Sequence, residues 1–230
     1  RPPQVGVMAY TIPTPLDIPW TMKTVESAET AFRHLDDGRM EMTIAHEPLP
    51  GVTTAMLVWW FQTFPDPPNA TVDDLASRTT VEFGGEQVPM YRLWHPLDHI
   101  FAHVITPAPD GSPGLSAGAK FELVERVLHI LYAKATVLAM DETNIHLAVE
   151  RGPFRVGDLR HTFEDSPDGL LYRSRLVIGS TLPVVGRLLT EVAKRRLMSE
   201  EMARAWFKHN VEEVGNLQFF LPNLYQQLAT

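Results

Sequence analysis

The strongest constraint on the fold is a long run of strand-like segments in the middle of the chain. From about Ile100 to Ser180 the segments alternate apolar and polar residues or are rich in β-branched ones, which is typical of half-buried strands. Within this run the sequence SPDG at 166–169 predicts a tight hairpin turn. Short turns between strands favour an antiparallel sheet.

A long helical pattern closes the chain. Ser199, followed by two glutamates, predicts an N-cap and an acidic first turn. Apolar positions then recur at helical spacing to Leu221, and Pro222 is expected to interrupt the helix. Pro183 opens another helical region before it. We expect an α+β fold of helix-grip type, in which a curved antiparallel sheet surrounds the C-terminal helix and leaves a cavity for a small molecule.

The N-terminal part is expected to be an extension. Residues 1–20 indicate an extended Pro-rich arm and not a secretory signal, because they contain no apolar h-region. Residues 24–34 predict a short helix, 40–45 a strand and 53–64 another helix. We therefore divide the chain into 1–38, the arm and short helix, and 39–230, the helix-grip domain. The arm could exchange between the protomers of a homodimer.

Composition excludes several classes of function. A net charge of -8 argues against nucleic acid and anionic membranes as partners, and no stretch approaches the roughly 18–20 apolar residues of a membrane-spanning helix. The absence of cysteine excludes disulfides, thiolate catalysis and cysteine-ligated metals. No GxSxG, Walker, GxGxxG or HExxH pattern occurs. We expect a cytoplasmic protein that acts on a small molecule.

The C-terminal helix carries a histidine and a glutamate within its apolar stripe. At about 100° per residue, His209 and Glu213 fall on the same face as Met202, and the spacing of one turn lets both side chains converge on one ion. Glu212 falls on the polar flank beside Lys208 and is expected to face solvent. The alternative is that an arginine or the imidazole pairs with Glu213 in a structural network, since a buried carboxylate needs a partner.

A second acid is predicted to point inward from a strand. In the sequence FELVERV at 121–127, alternation places Glu125 on the apolar face with Phe121 and Leu123. A one-residue bulge that turned Glu125 outward is the alternative.

Histidines add to this set. Three of the nine lie within nine residues, at His95, His99 and His103, and imidazoles together with carboxylates suit a divalent ion such as zinc. His161 and Tyr172 lie on adjacent predicted strands and could place polar groups in an apolar cavity or satisfy one another. For each histidine a hydrogen-bonded structural position is the simpler alternative.

Taken together, several motifs resemble those of one family, the 2,4-diacetylphloroglucinol hydrolases and the related phloretin hydrolases. The matching stretches extend over roughly 41–225. They are GVTTAMLVWWF at 51–61, Tyr91 with WHPLDH at 94–99, VERV at 124–127, YRSR at 172–175, and HNVEE at 209–213 with FLPNLY at 220–225.

This resemblance implies a helix-grip fold of the birch-allergen/START type and a zinc-dependent hydrolase that cleaves the carbon–carbon bond between an acyl group and a polyphenol ring. The implied zinc ligands are His99, Glu125, His209 and Glu213. Tyr91 and His161 match positions that meet phenolic hydroxyls, while Leu176 stands where a further substrate tyrosine is expected.

The resemblance also implies catalytic and binding roles. Glu213 or Glu125 would act as the base, and His161 or water would return a proton to the ring. Trp59, Trp60 and Trp206 are candidates for the walls of the site, although core packing is the simpler expectation for each.

Two other functions stay open from the sequence. One is a non-catalytic helix-grip protein that binds an apolar small molecule, and the other is a zinc hydrolase of a different β-dicarbonyl or aryl ketone. Bound metal would exclude the non-catalytic binding protein. Failure to hydrolyse phloroglucinols would distinguish the hydrolase of a different β-dicarbonyl or aryl ketone.

Overall fold

One large antiparallel sheet dominates the computed structural model, which describes residues 10–179 and 199–229. Its eight strands are ordered β1-β2-β10-β9-β8-β7-β6-β5, and β3 and β4 form a separate two-stranded sheet. The strands are β1 (Ala28–His34), β2 (Met40–His46), β3 (Thr80–Phe83), β4 (Glu86–Pro89), β5 (His99–Thr106), β6 (Lys120–Arg126), β7 (Ile130–Met140), β8 (Asn144–Arg151), β9 (Phe154–Ser166) and β10 (Gly169–Ile178).

Three α-helices accompany the sheet in the described residues: α1 (Thr54–Thr63), α2 (Met90–Trp94) and α3 (Glu200–Leu228). The predicted cap of α3 is confirmed, because the Ser199 side chain accepts a hydrogen bond from the backbone N–H of Met202 at 3.0 Å. The helical region predicted from Pro183 lies outside the described residues. None of the described helices combines the length and apolar character needed to cross a membrane.

Helix α3 continues through Pro222, so the predicted interruption there is wrong. A proline inside a helix removes one backbone hydrogen bond and costs about 3 kcal/mol in an isolated helix. Here Leu217, Leu221 and Leu224 are buried on both sides of the proline and belong to the main core. Tertiary packing of this apolar face keeps the last turns helical.

Residues 28–34 form a strand, so the predicted short helix is wrong. Every residue of β1 pairs with β2, from Ala28 opposite His46 to His34 opposite Met40, and only a 3₁₀ turn at Val25–Ser27 precedes it. The apolar residues Ala28 and Phe32 are four apart, a spacing that suits one face of a helix and one face of a strand equally. Pairing with β2 decides between the two.

The arm before β1 packs on its own chain. The Trp20 indole N–H donates to Asn216 Oδ1 of α3 at 3.0 Å, and its ring stacks on Phe219 at 5.5 Å between centroids. The backbone N–H of Leu16 donates to the carbonyl of Pro96 at 3.2 Å. Exchange of this arm in a homodimer stays a prediction, as does the division of the chain at residue 38.

The sheet packs its inner face on α3, which confirms the predicted α+β, helix-grip fold class. Met42 and Ile44 of β2 contact Phe207 and Val211 of α3 in one buried cluster. A larger cluster joins α1, α2, the strands from β5 to β9 and the C-terminal half of α3. The predicted hairpin at 166–169 is also confirmed, because Ser166 pairs with Gly169 between β9 and β10.

Candidate metal centre

Two adjacent strands and the long helix bring four predicted metal ligands together. His99 of β5 and Glu125 of β6 are directly paired across the sheet. The register shifts between His99 and Phe101, which places a bulge at Ile100. Because of this bulge His99 pairs with Glu125 and Ala102 with Leu123, so His99 and Ala102, an odd number of positions apart, lie on the same side of the sheet, and Ala102 belongs to the core. Glu125 therefore faces inward, as alternation predicted.

The side-chain nitrogens and oxygens of the four residues lie close to one another. The Nε2 atom of His99 lies 3.5 Å from Glu125 Oε1 and 3.3 Å from Glu213 Oε2. The Nε2 atom of His209 lies 3.6 Å from Glu125 Oε2 and 3.8 Å from Glu213 Oε2.

His99 presents an unprotonated nitrogen to this point. Its Nδ1–H donates to the backbone carbonyl of Tyr91 at 2.9 Å, and the two rings stack at 3.9 Å between centroids. The Nε2 atom is buried and has no hydrogen-bond partner in the described part of the chain. Burial lowers the pKa of His99 to about 4, although the Glu125 charge opposes this shift. A neutral imidazole with a free Nε2 lone pair is the form that binds a metal.

His209 is oriented by a carboxylate behind it. Its Nδ1 lies 3.1 Å from Asp98 Oδ2, which leaves Nε2 to face Glu125 and Glu213. Burial by itself would lower the pKa of His209, but the hydrogen bond to Asp98 and the charges of the two glutamates raise it to about 9. A carboxylate on the outer nitrogen of a histidine is the usual support of a metal ligand.

Both glutamates also have partners that hold their carboxylates. The Tyr91 hydroxyl donates a short hydrogen bond to Glu125 Oε1, and the Asn210 amide donates to Glu213 Oε1 at 2.5 Å. Burial raises the pKa of Glu213, whereas the His209 charge lowers it. His99, Glu125 and His209 each offer a ligand atom within 4.8 Å of the other two, and Glu213 is not part of this tightest group. Three convergent groups with a fourth acid beside them could therefore hold a metal ion.

The charges around the cluster also fit a cation. Four buried carboxylates face two cationic side chains and the protonated His209, so a formal excess of two negative charges remains once His209 gives up its proton to bind a metal. A divalent ion would balance this excess. The carboxylates belong to Asp98, Glu125, Glu212 and Glu213, and the cations are Arg126 and Lys208. These buried histidine and acidic side chains could therefore bind a metal ion.

A neighbouring group, His95, Asp98 and His209, also comes within metal-binding distance. However, His95 Nδ1 accepts the backbone N–H of Asp98 at 3.2 Å and its Nε2 faces Glu212 at 3.2 Å, so both nitrogens are in use. The Arg126 guanidinium already lies 3.3 Å from Asp98. This second group is a support of the first, and His95 stacks on His209 at 4.7 Å between centroids.

Glu212 does not face solvent, contrary to the prediction from helical phase. It is only 9% exposed and accepts hydrogen bonds from His95 and from Lys208, the latter at 2.7 Å. Hydrogen bonds from these two groups outweigh burial and lower the pKa of Glu212. The polar flank of α3 is covered here by the segment between α2 and β5, which a helical wheel does not contain.

An aromatic cavity adjoins the cluster, and only some of the other predicted site residues line it. His161 and Trp206 line it together with Tyr91, Glu125, His209 and Glu213, and Phe61, Phe64 and Phe121 form apolar walls. Trp60 is 0% exposed and packs on Phe220 and Trp94 in the core, and Trp59 packs on Tyr225. Neither tryptophan is among the described lining residues of this cavity, which agrees with the simpler expectation of core packing, and a contact of either one with substrate stays a prediction.

Tyr172 is buried beside the cavity. Its ring lies 5.3 Å from that of His161, and its hydroxyl has no hydrogen-bond partner among the described residues. Burial raises the pKa of Tyr172, and so does the Glu213 charge. The hydroxyl is therefore a neutral donor available to a ligand.

A larger groove of about 600 Å³ lies on the outer face of the sheet, along β1, β2, β10 and β9. Arg160, Arg173 and Arg175 line it, and none of the convergent histidines and glutamates does. Because chemistry requires those groups, the candidate site is the inner cavity.

Asp98 and Asn210 were missed by sequence reasoning. Both stand directly beside predicted ligands in the chain, at His99 and His209, and each contacts a ligand through its side chain. The carboxylate in WHPLDH was a usable signal, but its partner is 111 positions away.

Fold and cluster together define a helix-grip protein with a buried His/Glu site that could bind a metal ion. A family model described as "DAPG hydrolase PhiG domain" matches residues 129–226, which include His161, His209 and Glu213 but not His99 or Glu125. Phloretin hydrolase from Eubacterium ramulus is 24% identical over 207 residues, or 78% of this chain and 65% of that protein. The chain thus spans slightly less than two thirds of that relative. These two matches confirm the resemblance to the family of 2,4-diacetylphloroglucinol and phloretin hydrolases.

Among solved structures, protein Ms6760 from Mycobacterium smegmatis is similar at 12% identity and a TM-score of 0.43, covering 83% of this chain and 98% of that one. A START superfamily protein from the same organism is similar at 16% identity and a TM-score of 0.39, covering 76% and 98%.

Proposed function

We propose that this protein is a zinc-dependent hydrolase that cleaves the carbon–carbon bond between an acyl group and a phloroglucinol-type ring. The observation that carries the proposal is the buried, unpartnered Nε2 of His99, which lies 3.3–3.5 Å from Glu213 and Glu125 at the wall of an aromatic cavity. A helix-grip protein that only held an apolar ligand would have no use for such a costly cluster.

The donor set of two imidazoles and two carboxylates fits zinc. His99, Glu125 and His209 would hold the ion, with Glu213 completing the shell at rest. When bound, zinc would lower the pKa of a water molecule from about 15.7 to about 7 and polarise the acyl carbonyl.

Glu213 is the residue placed to accept the proton of the attacking water. It is buried, its pKa is raised, and Asn210 holds only its Oε1 atom, so that Oε2 stays directed at the histidines. A carboxylate whose pKa moves toward neutrality is a better general base at the pH of the cell.

The ring carbon must leave with a proton. In the keto tautomer of an acylphloroglucinol the departing carbon is a stabilised enolate, and His161 lies in the cavity wall to return the proton. Water adds to the acyl carbon, the acyl–ring bond breaks, and the products are a carboxylic acid and the deacylated phenol. Tyr91 keeps Glu125 in place through its hydroxyl, and burial raises the pKa of Tyr91, as does the Glu125 charge, so it remains a neutral donor.

The proposal is tested with purified protein and a panel of acylphloroglucinols, phloretin and simple β-diketones, each with and without a chelator. We expect about one zinc per chain and hydrolysis of the phloroglucinol compounds that the chelator removes. Glu213→Ala and His209→Ala should abolish hydrolysis, while Glu201→Ala, an exposed acid at the start of the same helix, should leave it unchanged.

Full activity in Glu213→Ala would disprove the assigned role of that residue. Bound metal with turnover of β-diketones alone would keep the zinc site and change the substrate. The substitution of Leu176 for an expected tyrosine makes this substrate comparison informative.

A further inference from the structure

A second polar cluster lies on the inner face of the sheet behind His161. The Nδ1 atom of His161 lies 3.0 Å from Ser174 Oγ, and the Nε2 atom of His46 lies 3.3 Å from the same oxygen. The three side chains come from the neighbouring strands β9, β10 and β2, and Ser174 is directly paired with His161. We call this line of groups the His46–Ser174–His161 chain.

The two histidines at the ends of the His46–Ser174–His161 chain are neutral imidazoles. Burial lowers the pKa of His161 to about 3, and the nearby His46 lowers it further. Most of the His46 side chain is buried, which lowers its pKa to about 4, although a hydrogen bond with Asn210 opposes this shift. A neutral imidazole carries one N–H, and a serine hydroxyl donates one hydrogen bond while accepting others. Ser174 can therefore donate to only one of the two rings, and the three groups form a directed chain when it donates to one ring and accepts from the other.

One direction equips His161 as a proton donor. If His46 Nε2–H donates to Ser174 Oγ and the Ser174 hydroxyl donates to His161 Nδ1, then the proton of His161 sits on Nε2. That is the ring nitrogen not engaged by Ser174, on a side chain that lines the cavity.

The two ends differ in their access to water. Ser174 and His161 are 1% and 3% exposed, whereas His46 is partly exposed at the end of β2, next to the surface ion pair of Lys23 and Glu47. A proton can therefore enter at His46, while neither of the other two members has comparable access to solvent.

We infer that His46 and Ser174 form a proton relay that passes a proton to His161 Nδ1 as His161 Nε2 donates one to the ring, so that the His161 imidazole stays neutral during the transfer. This inference rests on the proposed function, because it assigns to His161 the protonation of the departing ring carbon. His161 would be the catalytic residue, and Ser174 and His46 would act through it.

The transfers balance. The His161 Nε2–H bond breaks as the ring C–H bond forms, and His161 Nδ1 takes the Ser174 hydroxyl proton. Ser174 Oγ takes the Nε2 proton of His46, and His46 Nδ1 takes one proton from water. Each ring ends neutral with its proton on Nδ1, and the chain returns to its first state when His161 Nε2 next takes up a proton in the cavity and His46 Nδ1 releases one.

The first test needs no substrate. In ¹⁵N-edited NMR spectra of the metal-loaded wild-type protein, we expect His161 Nδ1 to be unprotonated and hydrogen-bonded. Ser174→Ala should shift the ring nitrogens of both His161 and His46, while Thr162→Ala, which removes a hydroxyl from the outer face of β9, should shift neither. A resting His161 with its proton on Nδ1 overturns the inference.

The second test is kinetic, with the hydrolysed acylphloroglucinol as substrate. General acid catalysis typically contributes about 10²–10⁴-fold, so loss of the relay should lower kcat by at least about 10-fold with KM changed less than about threefold. Ser174→Thr keeps the hydroxyl and should retain most of the rate. His46→Ala should lose rate that added imidazole restores.

A Ser174→Ala enzyme that folds, binds metal and keeps the wild-type kcat overturns the relay. Failure of imidazole to restore His46→Ala removes His46 from it. If the wild-type protein hydrolyses no compound of the panel, the proposed function fails, and the NMR result still decides the direction of the chain.

Discussion

Asp98→Asn tests whether the cluster is built as a metal site. Asp98 accepts the Nδ1–H of His209 at 3.1 Å, lies 3.3 Å from the Arg126 guanidinium and is 7% exposed. Burial would raise the pKa of Asp98, but the hydrogen bond from His209 and the neighbouring histidine charges lower it, so the group is ionised at neutral pH. The substitution keeps the shape and an acceptor oxygen while it removes the charge that makes His209 a stronger ligand.

The expected loss of metal affinity is the loss caused by removing one carboxylate that supports a ligand without binding the metal itself. Replacing such partners typically weakens metal binding about 10–100-fold, which corresponds to about 1.4–2.7 kcal/mol. Arg126 is partly exposed and can be solvated, so little further cost is expected from its unpaired charge. The fold should therefore persist without metal.

Competition with a chromophoric chelator measures the metal affinity of the wild type and Asp98→Asn, and thermal unfolding of the stripped proteins is the control. Glu122→Gln is the matched variant, because Glu122 lies on the same strand as Glu125 but binds His103 and Tyr132 away from the cavity. Equal metal affinity in the wild type and Asp98→Asn, with intact folds, would refute the assignment of Asp98 as the support of a ligand.

Three further outcomes concern stability. Trp60→Ala should lower the free energy of unfolding by about 3–5 kcal/mol in urea titrations, because Trp60 is 0% exposed in the core. Unchanged stability together with lost activity would instead assign Trp60 to the substrate site. Gly169→Ala should destabilise more than Gly111→Ala: both have positive φ, which costs about 1–3 kcal/mol, but only at Gly169 would the new Cβ lie 2.4 Å from the Leu49 carbonyl oxygen. Burial would raise the pKa of Glu41, yet two arginines lower it below 4.5, so its contribution exists above that pH and is lost as the pH falls. Glu41→Gln should therefore be less stable than wild type at pH 7, with the difference shrinking below about pH 4.5 in thermal unfolding.

The periodicity of the sequence was sufficient wherever one element decided the outcome. Helical phase placed His209 and Glu213 on the buried stripe of α3, and alternation placed Glu125 on the inner face of β6. These directions follow from backbone geometry alone, because the repeat of a helix or a strand fixes which side chains share a face. The hairpin at 166–169 and the cap at Ser199 were predictable from local residue chemistry, because turn residues and an N-cap serine act within a few positions of the chain.

The errors arose where a second element changed the environment. Glu212 is on the polar flank of its helix, yet His95 covers it from the α2–β5 segment. Residues 28–34 have a spacing that suits a helix or a strand, and pairing with β2 selected the strand. Pro222 ends an isolated helix, but burial of the leucines around it offsets the lost hydrogen bond.

Local patterns in the sequence specify the residue types of the site, the face from which each one points and the family resemblance. Which of these residues meet depends on how the strands and helices pack together. The carboxylate behind His209 is 111 positions away, and the serine behind His161 comes from the neighbouring strand. Long-range pairings of this kind depend on strand order, on the bulge at Ile100 and on the packing of α3 in the sheet, and no local periodicity encodes them.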